Sequence, residues 1–289
     1  MIEILVHTIK HTLEHGIKLL PFLFITYLIM EYIEHKTGSK TKNIIKKSGK
    51  FGPLLGGILG IFPQCGFSAA AANLYAGKII TLGTLIAIFL STSDEMLPIL
   101  ISESAPISTI ITILAIKLVI GVIAGFVIDL VGQALKKKEN QEEIEEEISH
   151  ICEHEHCHCE EHGVLKSSIK HTLSIFLFII LITFVVNIVV EVIGEENLAN
   201  LVLNMPIVGP MIAGLLGLIP NCAGSVVLTQ LYLQQVISLG SMIGGLLVGS
   251  GIGILVLFRV NKDLKDNLKI LGLLYLVGVI CGIVIDLIV

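Results

Sequence analysis

The sequence predicts an all-α, polytopic membrane protein of about ten transmembrane segments, arranged as two inverted five-segment repeats with broken helices. Three observations predict it. Apolar runs long enough to cross a bilayer recur along the chain, the second half repeats the first, and the loop lysines of the two halves mark opposite sides.

A hydrocarbon core of about 30 Å takes roughly 20 helical residues to cross. Runs of that kind fill Ile17–Ile33, Ile79–Ile101, Ile107–Val131, Ile169–Val190, Val236–Phe258 and Ile270–Val289. Of the 289 residues 54% are hydrophobic and 15% charged, more apolar than the core of a soluble domain requires. The runs lack the period-2 alternation of barrel strands. The chain does not open on a basic n-region, a short apolar core and a small-residue site, so no cleaved signal peptide is expected. The net charge of −5 comes largely from one acidic linker and carries no nucleic-acid signature. With tryptophan absent, anchoring at the membrane surface falls to Tyr, Lys and His. Cys65, Cys222 and Cys281 lie in apolar segments, while Cys152, Cys157 and Cys159 share one His-rich tract. That pattern indicates metal chemistry or buried thiols rather than a disulfide framework.

The repeat shows first in "IKHTL", at Ile9–Leu13 and again at Ile169–Leu173. Glu31 and Glu191 keep the same offset of 160, which becomes 157 past the next loop. Between Gly52–Tyr75 and Gly209–Tyr232, 10 of 24 aligned positions are identical, including Pro63/Pro220 and Cys65/Cys222. Later, Gly121, Gly125 and Asp129 meet Gly278, Gly282 and Asp286. Apolar composition produces chance matches of Leu and Ile, but not matched Gly, Pro, Cys, Tyr and Asp. The domains are therefore residues 1–133, a first membrane repeat; 134–168, an acidic His/Cys-rich linker; and 169–289, a second membrane repeat.

Loop charge orients the repeats. Lys36, Lys40, Lys42, Lys46, Lys47 and Lys50 assign the first long loop to the cytoplasm, whereas its counterpart at Gly194–Ile207 has two Glu and no Lys or Arg. The Ser102–Pro106 loop lacks positive charge, whereas its counterpart carries Arg259, Lys262, Lys265 and Lys269. Opposite polarity is what an inverted-topology pair shows, and it needs an odd number of crossings per half. Two apolar blocks, Gly52–Ala76 and Ile79–Ile101, lie between the inside and outside loops of the first half. A break at Pro63 restores the parity, either as three crossings or as one crossing plus a re-entrant hairpin. The expected arrangement has both termini outside and the linker inside.

The breaks are also the candidate substrate path. Irregular backbone at membrane depth survives only where it is buried in protein or lines a cavity. Half-helix ends near the midplane are where inverted-repeat carriers hold substrate and coupling ions. Pro63, Gln64 and Cys65 in one half, and Pro220, Asn221 and Cys222 in the other, each offer carbonyls, an amide and a thiol. Ser68 and Asn73 follow in the first half, matched by Ser225 and Gln230 in the second. The competing reading is a pair of tightly packed proline kinks eased by small residues. "STSDE" supplies Ser91, Ser93, Asp94 and Glu95 inside an apolar run, where ionisable groups cost roughly 2.5–3.5 kcal/mol and mark ion or proton paths. The alternative places Asp94 and Glu95 at the outer interface. "VGSGI" at Val248–Ile252 is the uncharged counterpart, suited to a Gly-rich gate. Asp129/Asp286 and Glu31/Glu191 fall towards segment ends, where interfacial contact or pairing with lysine is expected.

The linker brings a second metal signal. His150, Cys152, His154, His156, Cys157, His158, Cys159 and His162 fall within 13 positions, without the spacing of a closed zinc module. Such a tract takes soft or borderline metals adaptively. His7, His11 and His15 form one helical stripe, either a metal-collecting face or the polar side of an interfacial helix.

The chain has no GxxxxGK[ST] phosphate loop, which points to a secondary carrier without an ATPase of its own. Two other classes are a membrane-embedded thiol enzyme using Cys65 and Cys222, and a metal-sensing membrane regulator. The first needs a base or cofactor site that the sequence does not display; the second needs no pair of polar breaks. No cofactor is required. The expected partners are membrane lipid, a metal ion or metalloid and a further copy of the chain, with no nucleic acid.

"FPQCGFSAAAANLYAGKIITLGTLIAIFLSTSDEMLPIL" in the first half and "GLIPNCAGSVVLTQLYL" in the second resemble the ten-span heavy-metal exporter family. Its members are also described as manganese transporters and are associated with arsenic-efflux permeases. The resemblance spans both halves, and implies export of a transition metal or metalloid across a prokaryotic plasma (inner) membrane. Mn²⁺ prefers carboxylate, amide and carbonyl oxygen, whereas arsenite prefers thiolate. Gln64, Asn221, Asp94 and Glu95 favour manganese; Cys65 and Cys222 keep arsenite or an organoarsenical as the alternative.

The orientation is testable by cysteine accessibility. Cysteines introduced at Ser102 and Asn197 should label from outside in intact cells, and those at Asn43 and Asn261 only after permeabilisation. Outside labelling at both Asn43 and Asn261 would contradict the inverted arrangement.

Overall fold

Where the sequence repeats, the helices repeat. The computed structural model describes residues 51–62, 65–93, 96–136, 207–220 and 222–288, with scattered helical positions within 20–28 and 169–188. These continuous stretches hold helices and no strand. The first set is α1 (Gly52–Gly60), α2 (Cys65–Ala76), α3 (Leu82–Ser91), α4 (Met96–Ser102) and α5 (Ile107–Lys136). The second is α6 (Val208–Gly217), α7 (Cys222–Leu233), α8 (Leu239–Val248), α9 (Gly253–Val260) and α10 (Leu264–Ile288).

Among the described residues, four stretches are long and apolar enough to cross a membrane: Leu82–Ser102, Ile107–Ala134, Leu239–Val260 and Leu264–Ile288. The first and third are broken, as α3–α4 and α8–α9, and lie inside, 75% and 78% buried. The unbroken α5 and α10 lie outside, 22% and 28% buried. They present Ile111, Val119, Ile123 and Val127, and Leu268, Leu276, Ile280 and Val284, as exposed apolar faces. That division follows from the backbone: an unbroken helix satisfies its own amides and tolerates lipid, whereas a broken one must be enclosed.

The first break in each repeat turns the chain back. Gly52 stands against Thr84 and Gly60 against Ser91, so α1 and α3 run parallel. Residues 77–81 join α2 to the start of α3 and reach only about 20 Å. A straight continuation of α1 through α2 would end about 30 Å away. α2 therefore folds back beside α1 as a helix–break–helix hairpin. The second repeat does the same, with Ala213 against Gly245 and Gly217 against Gly249. Each hairpin returns through a Schellman turn. Lys78 and Gln235 take the left-handed conformation at φ 57° and 61°. Ile79 N–H donates to Leu74 O, and Val236 N–H to Leu231 O, both at 2.9 Å. The second helix of each hairpin packs on the other repeat: α2 on α9, and α7 on α4. Tyr75 at the end of α2 donates to Asp266 Oδ2 at 2.8 Å, an oxygen that also accepts from Asn261 Nδ2 at 3.0 Å.

Asp129 and Asp286 have a role different from the interfacial or lysine pairing expected of them. Asp129 accepts from Gly83 N–H at 2.8 Å and from Thr81 Oγ1 at 2.6 Å. Thr81 in turn N-caps α3 by accepting from Thr84 N–H at 3.1 Å. Asp286 repeats the arrangement with Gly240 N–H at 2.8 Å, Ser238 Oγ at 2.7 Å and the Ser241 N–H cap at 3.1 Å. Each carboxylate sits at the positive end of a helix and supplies acceptors that the helix start needs. Glycine permits the approach: a Cβ on Gly83 would lie 2.1 Å from Gly125 O, and one on Gly240 2.2 Å from Gly282 O.

Asp129→Ala or Asp286→Ala should therefore lower stability by about 1–3 kcal/mol, the usual cost of stranding partly buried donors. Thermal unfolding in detergent checks this. Gly132→Ala, where an added Cβ meets nothing within 4 Å, is the control and should leave the midpoint in place.

Candidate functional site at the helix breaks

A helix that stops in an apolar interior leaves carbonyls without amide partners at its C-terminal end and amides without acceptors at an N-terminal one. This chain brings several such ends together. α1 ends at Gly60 and α3 at Ser91, and Ser93 Oγ donates to Ile61 O, tying the two breaks. Thr92 caps α3, its N–H donating to Ile88 O, and Gly249 caps α8 in the same way through Gly245 O. α2, α4, α7 and α9 begin just beyond the breaks. Carbonyl ends, with partial negative charge, thus face amide ends with partial positive charge.

A cavity of about 20 Å³ lies among them, room for one water or one bare ion. Thr92, Ser93, Met96 and Lys117 line it from the first repeat; Gly217, Gly224, Ser225, Gly245, Leu246, Gly249 and Gly251 line it from the second. Lys117 lies within α5 and is 1% exposed. Its Nζ donates to Thr92 O and, at 2.9 Å, to Leu246 O. One ammonium therefore joins the C-terminal end of α3 to that of α8, across the two repeats.

The sequence-derived residues fall in different places. Ser93 and Ser225 line the cavity. Ser68, Asn73 and Ser91 are buried in the helices behind it. Ser68 meets Gly253 of α9, whose added Cβ would stand 2.7 Å from Ser68 Cβ. Asn73 Nδ2 donates to Ala69 O at 3.1 Å, and Ser91 Oγ to Ala87 O at 2.7 Å, both inside their own helices. Gln230 is half-buried on α7, and its carbonyl accepts from Gln234 N–H at 2.9 Å. Pro220 closes the turn after α6. Pro63, Gln64, Asp94, Glu95 and Asn221 lie outside the described residues, as do the side chains of Cys65 and Cys222, which begin α2 and α7. The linker ligands from His150 to His162 and the His7, His11 and His15 stripe lie outside as well. Among the described residues no group of three His, Cys, Asp or Glu could hold a metal.

Sequence reasoning passed over Lys117 and Thr92. The signal for Lys117 was present: a single cation inside the apolar run Ile107–Val131, at a position where the second repeat has Leu274. Thr92 contributes a backbone oxygen, which no residue type announces.

A helical membrane protein with broken central spans gathered on a small cavity lined from both repeats is the class these features define. Within that class, a family model described as "Putative, 10TM heavy-metal exporter" matches residues 3–195 and 173–289, and the chain belongs to that family. The match agrees with the resemblance carried by the two break motifs and supports heavy-metal export by a multi-pass membrane protein. Neither the curated proteins nor the solved structures contain a significant match.

Proposed function

We propose that the chain is a secondary transporter that exports a heavy-metal species across the plasma membrane by alternating access. The observation carrying this reading is the convergence of the α3–α4 break, the α6–α7 break and Lys117 on one cavity between the repeats. Such an interface is where a rocking movement of one repeat against the other opens a central site to either side. In this reading α1–α2 and α6–α7 are half-membrane hairpins, and the repeats are inverted. The packing of α2 on α9 supports the inversion, because it sets Tyr75, next to Lys78, beside the Lys262–Lys269 corner through Asp266. Both lysine-bearing ends then face the cytoplasm, with both termini outside.

Divalent manganese is the first choice of cargo. Thr92, Ser93 and Ser225 are the hydroxyl-bearing residues of the described lining, with Met96 its one sulfur-bearing residue. Oxygen of this kind suits a hard ion, and Asp94 and Glu95, next to Ser93 in the chain, supply countercharge. One observation favours the second reading, an arsenite or organoarsenical permease: the Lys117 ammonium donates readily to a metalloid oxygen and repels a bare dication. The polar, enclosed breaks give no support to an enzyme or a sensor over a carrier. The linker's His and Cys residues collect cargo on the cytoplasmic side.

Cargo chemistry is decided in proteoliposomes with Mn²⁺ and arsenite. For manganese, Cys65→Ser combined with Cys222→Ser should keep most of the flux, while Asp94→Asn should cost about tenfold or more. A thiophilic cargo reverses that order. Equal, mild losses from both variants, in protein shown to be folded, would remove the breaks from the transport path.

A further inference from the structure

Two of the helix pairs that join the repeats are α2 with α9 and α4 with α7. Residues 77–81 return α2 to the start of α3, whereas α4 carries the Leu82–Ser102 span on to its other end. With α1–α2 and α6–α7 as half-membrane hairpins, the two pairs flank the chamber on opposite sides.

The α2–α9 seam is held at both ends. Near the chamber, α9 approaches α2 so closely that a Cβ on Gly253 would stand 2.7 Å from Ser68 Cβ. At the far end, the half-buried Tyr75 hydroxyl donates to Asp266 Oδ2 at 2.8 Å. That carboxylate is fixed in advance. Asn261 Nδ2 commits both of its hydrogens, one to Asp266 Oδ2 at 3.0 Å and the other to Asn267 Oδ1 at 2.8 Å. Asn267, 1% exposed, returns its own amide to Asn261 O at 2.8 Å. Asp263 caps the same corner, accepting from Lys265 N–H at 2.9 Å and Asp266 N–H at 3.2 Å.

The other seam repeats the tyrosine but not the acceptor. Tyr232 sits at the end of α7 as Tyr75 does at the end of α2, and the same left-handed turn follows each. At the positions matching Asn261, Asp266 and Asn267, the first repeat has Ser104, Thr109 and Ile110. Packing of a helix end accounts for a tyrosine in both copies. It does not account for a carboxylate and its amide supports in only one. A hydroxyl bonded to a carboxylate is held more strongly than one bonded to a neutral oxygen. Strung between the repeats, this bond opposes their separation on one side alone.

We propose that the α2–α9 seam is the cytoplasmic gate of the chamber and that the Tyr75–Asp266 bond is its latch. The bond must break for cargo to enter from inside, while the α4–α7 seam parts without a counterpart. The inference rests on the reading of the chain as an alternating-access exporter with its lysine-bearing corners inside. An exporter loads from the cytoplasm and must not let cargo return there. A bond on the inner seam alone biases the empty chain towards the inward-closed state, and its loss shifts the population by the free energy that it contributes to that state.

The test uses the full chain in right-side-out and inside-out membrane vesicles, with Ser225→Cys in the chamber lining as the reporter. A membrane-impermeant maleimide is added from one side at a time. Fragment-resolved mass spectrometry reads its rate of attachment at position 225 apart from the native cysteines. Tyr75→Phe should raise the rate from the cytoplasmic side about tenfold and should not raise it from the outer side. Asp266→Asn should act in the same direction, and adding Tyr75→Phe to it should change the rate by no more than about twofold, because one bond is lost only once. Tyr232→Phe should leave both rates within about twofold. A merely structural tyrosine predicts a different pattern, with both rates rising together as the thermal midpoint in detergent falls. That pattern, an unchanged cytoplasmic rate in Tyr75→Phe, or additive effects in the double variant would overturn the latch and leave the exporter reading intact. Attachment from the same single side in every variant, with no Mn²⁺ or arsenite flux in the wild type, would overturn both.

Discussion

Every backbone group freed at a helix break must find a partner inside the protein, because lipid offers none. That constraint organises the rest of the molecule. It puts the broken spans α3–α4 and α8–α9 in the centre and the unbroken α5 and α10 around them. It explains why Ser93 reaches across to Ile61 O and why Lys117 serves carbonyls of both repeats. Breaks enclosed in this way leave a small chamber between the repeats, lined from both.

The repeats agree at the helix caps and crossings, and two of their differences fall at the cavity. Thr81, Gly83 and Asp129 match Ser238, Gly240 and Asp286 in bonding and closely in distance, a hydroxyl, a glycine and a carboxylate in each. Lys78 and Gln235 take the same left-handed turn although their side chains differ. Around the chamber the match is partial. Thr92 corresponds to Gly249 and Lys117 to Leu274, although Ser93 and Ser250 agree. A duplicated frame needs both copies of its caps and crossings, but a central chamber needs only one ammonium, which serves both halves at once.

The sequence carried the duplication, the breaks and the membrane class, because glycine, proline and apolar length leave marks that survive without coordinates. The family match agrees with the two break motifs quoted from it. Other features depended on distance. Asp129 and Asp286 could be seen as a matched pair, yet their helix starts lie 48 positions away along the chain. The hairpin form of α1–α2 could not be separated from a third crossing by hydropathy, since both use the same apolar residues, and the side-by-side packing of α1 and α3 through Gly52 with Thr84 and Gly60 with Ser91 fits either. Ser91 and Asn73, conspicuous as polar residues in apolar runs, bond within their own helices, while Ser93 and Ser225 reach the cavity. A helical wheel places a residue on a face; only packing says what that face meets.

The central claim is that cargo sits in the chamber between the two repeats, between the helix ends bridged by Lys117. Anomalous diffraction from crystals of the full chain soaked with Mn²⁺, and in parallel with arsenite, tests it most directly. The account predicts an anomalous peak within ligand distance of Thr92, Ser93 or Ser225 and next to Lys117, in one of the two soaks. Peaks confined to the linker tract or to the outer surface, with the chamber empty in both soaks, would contradict it.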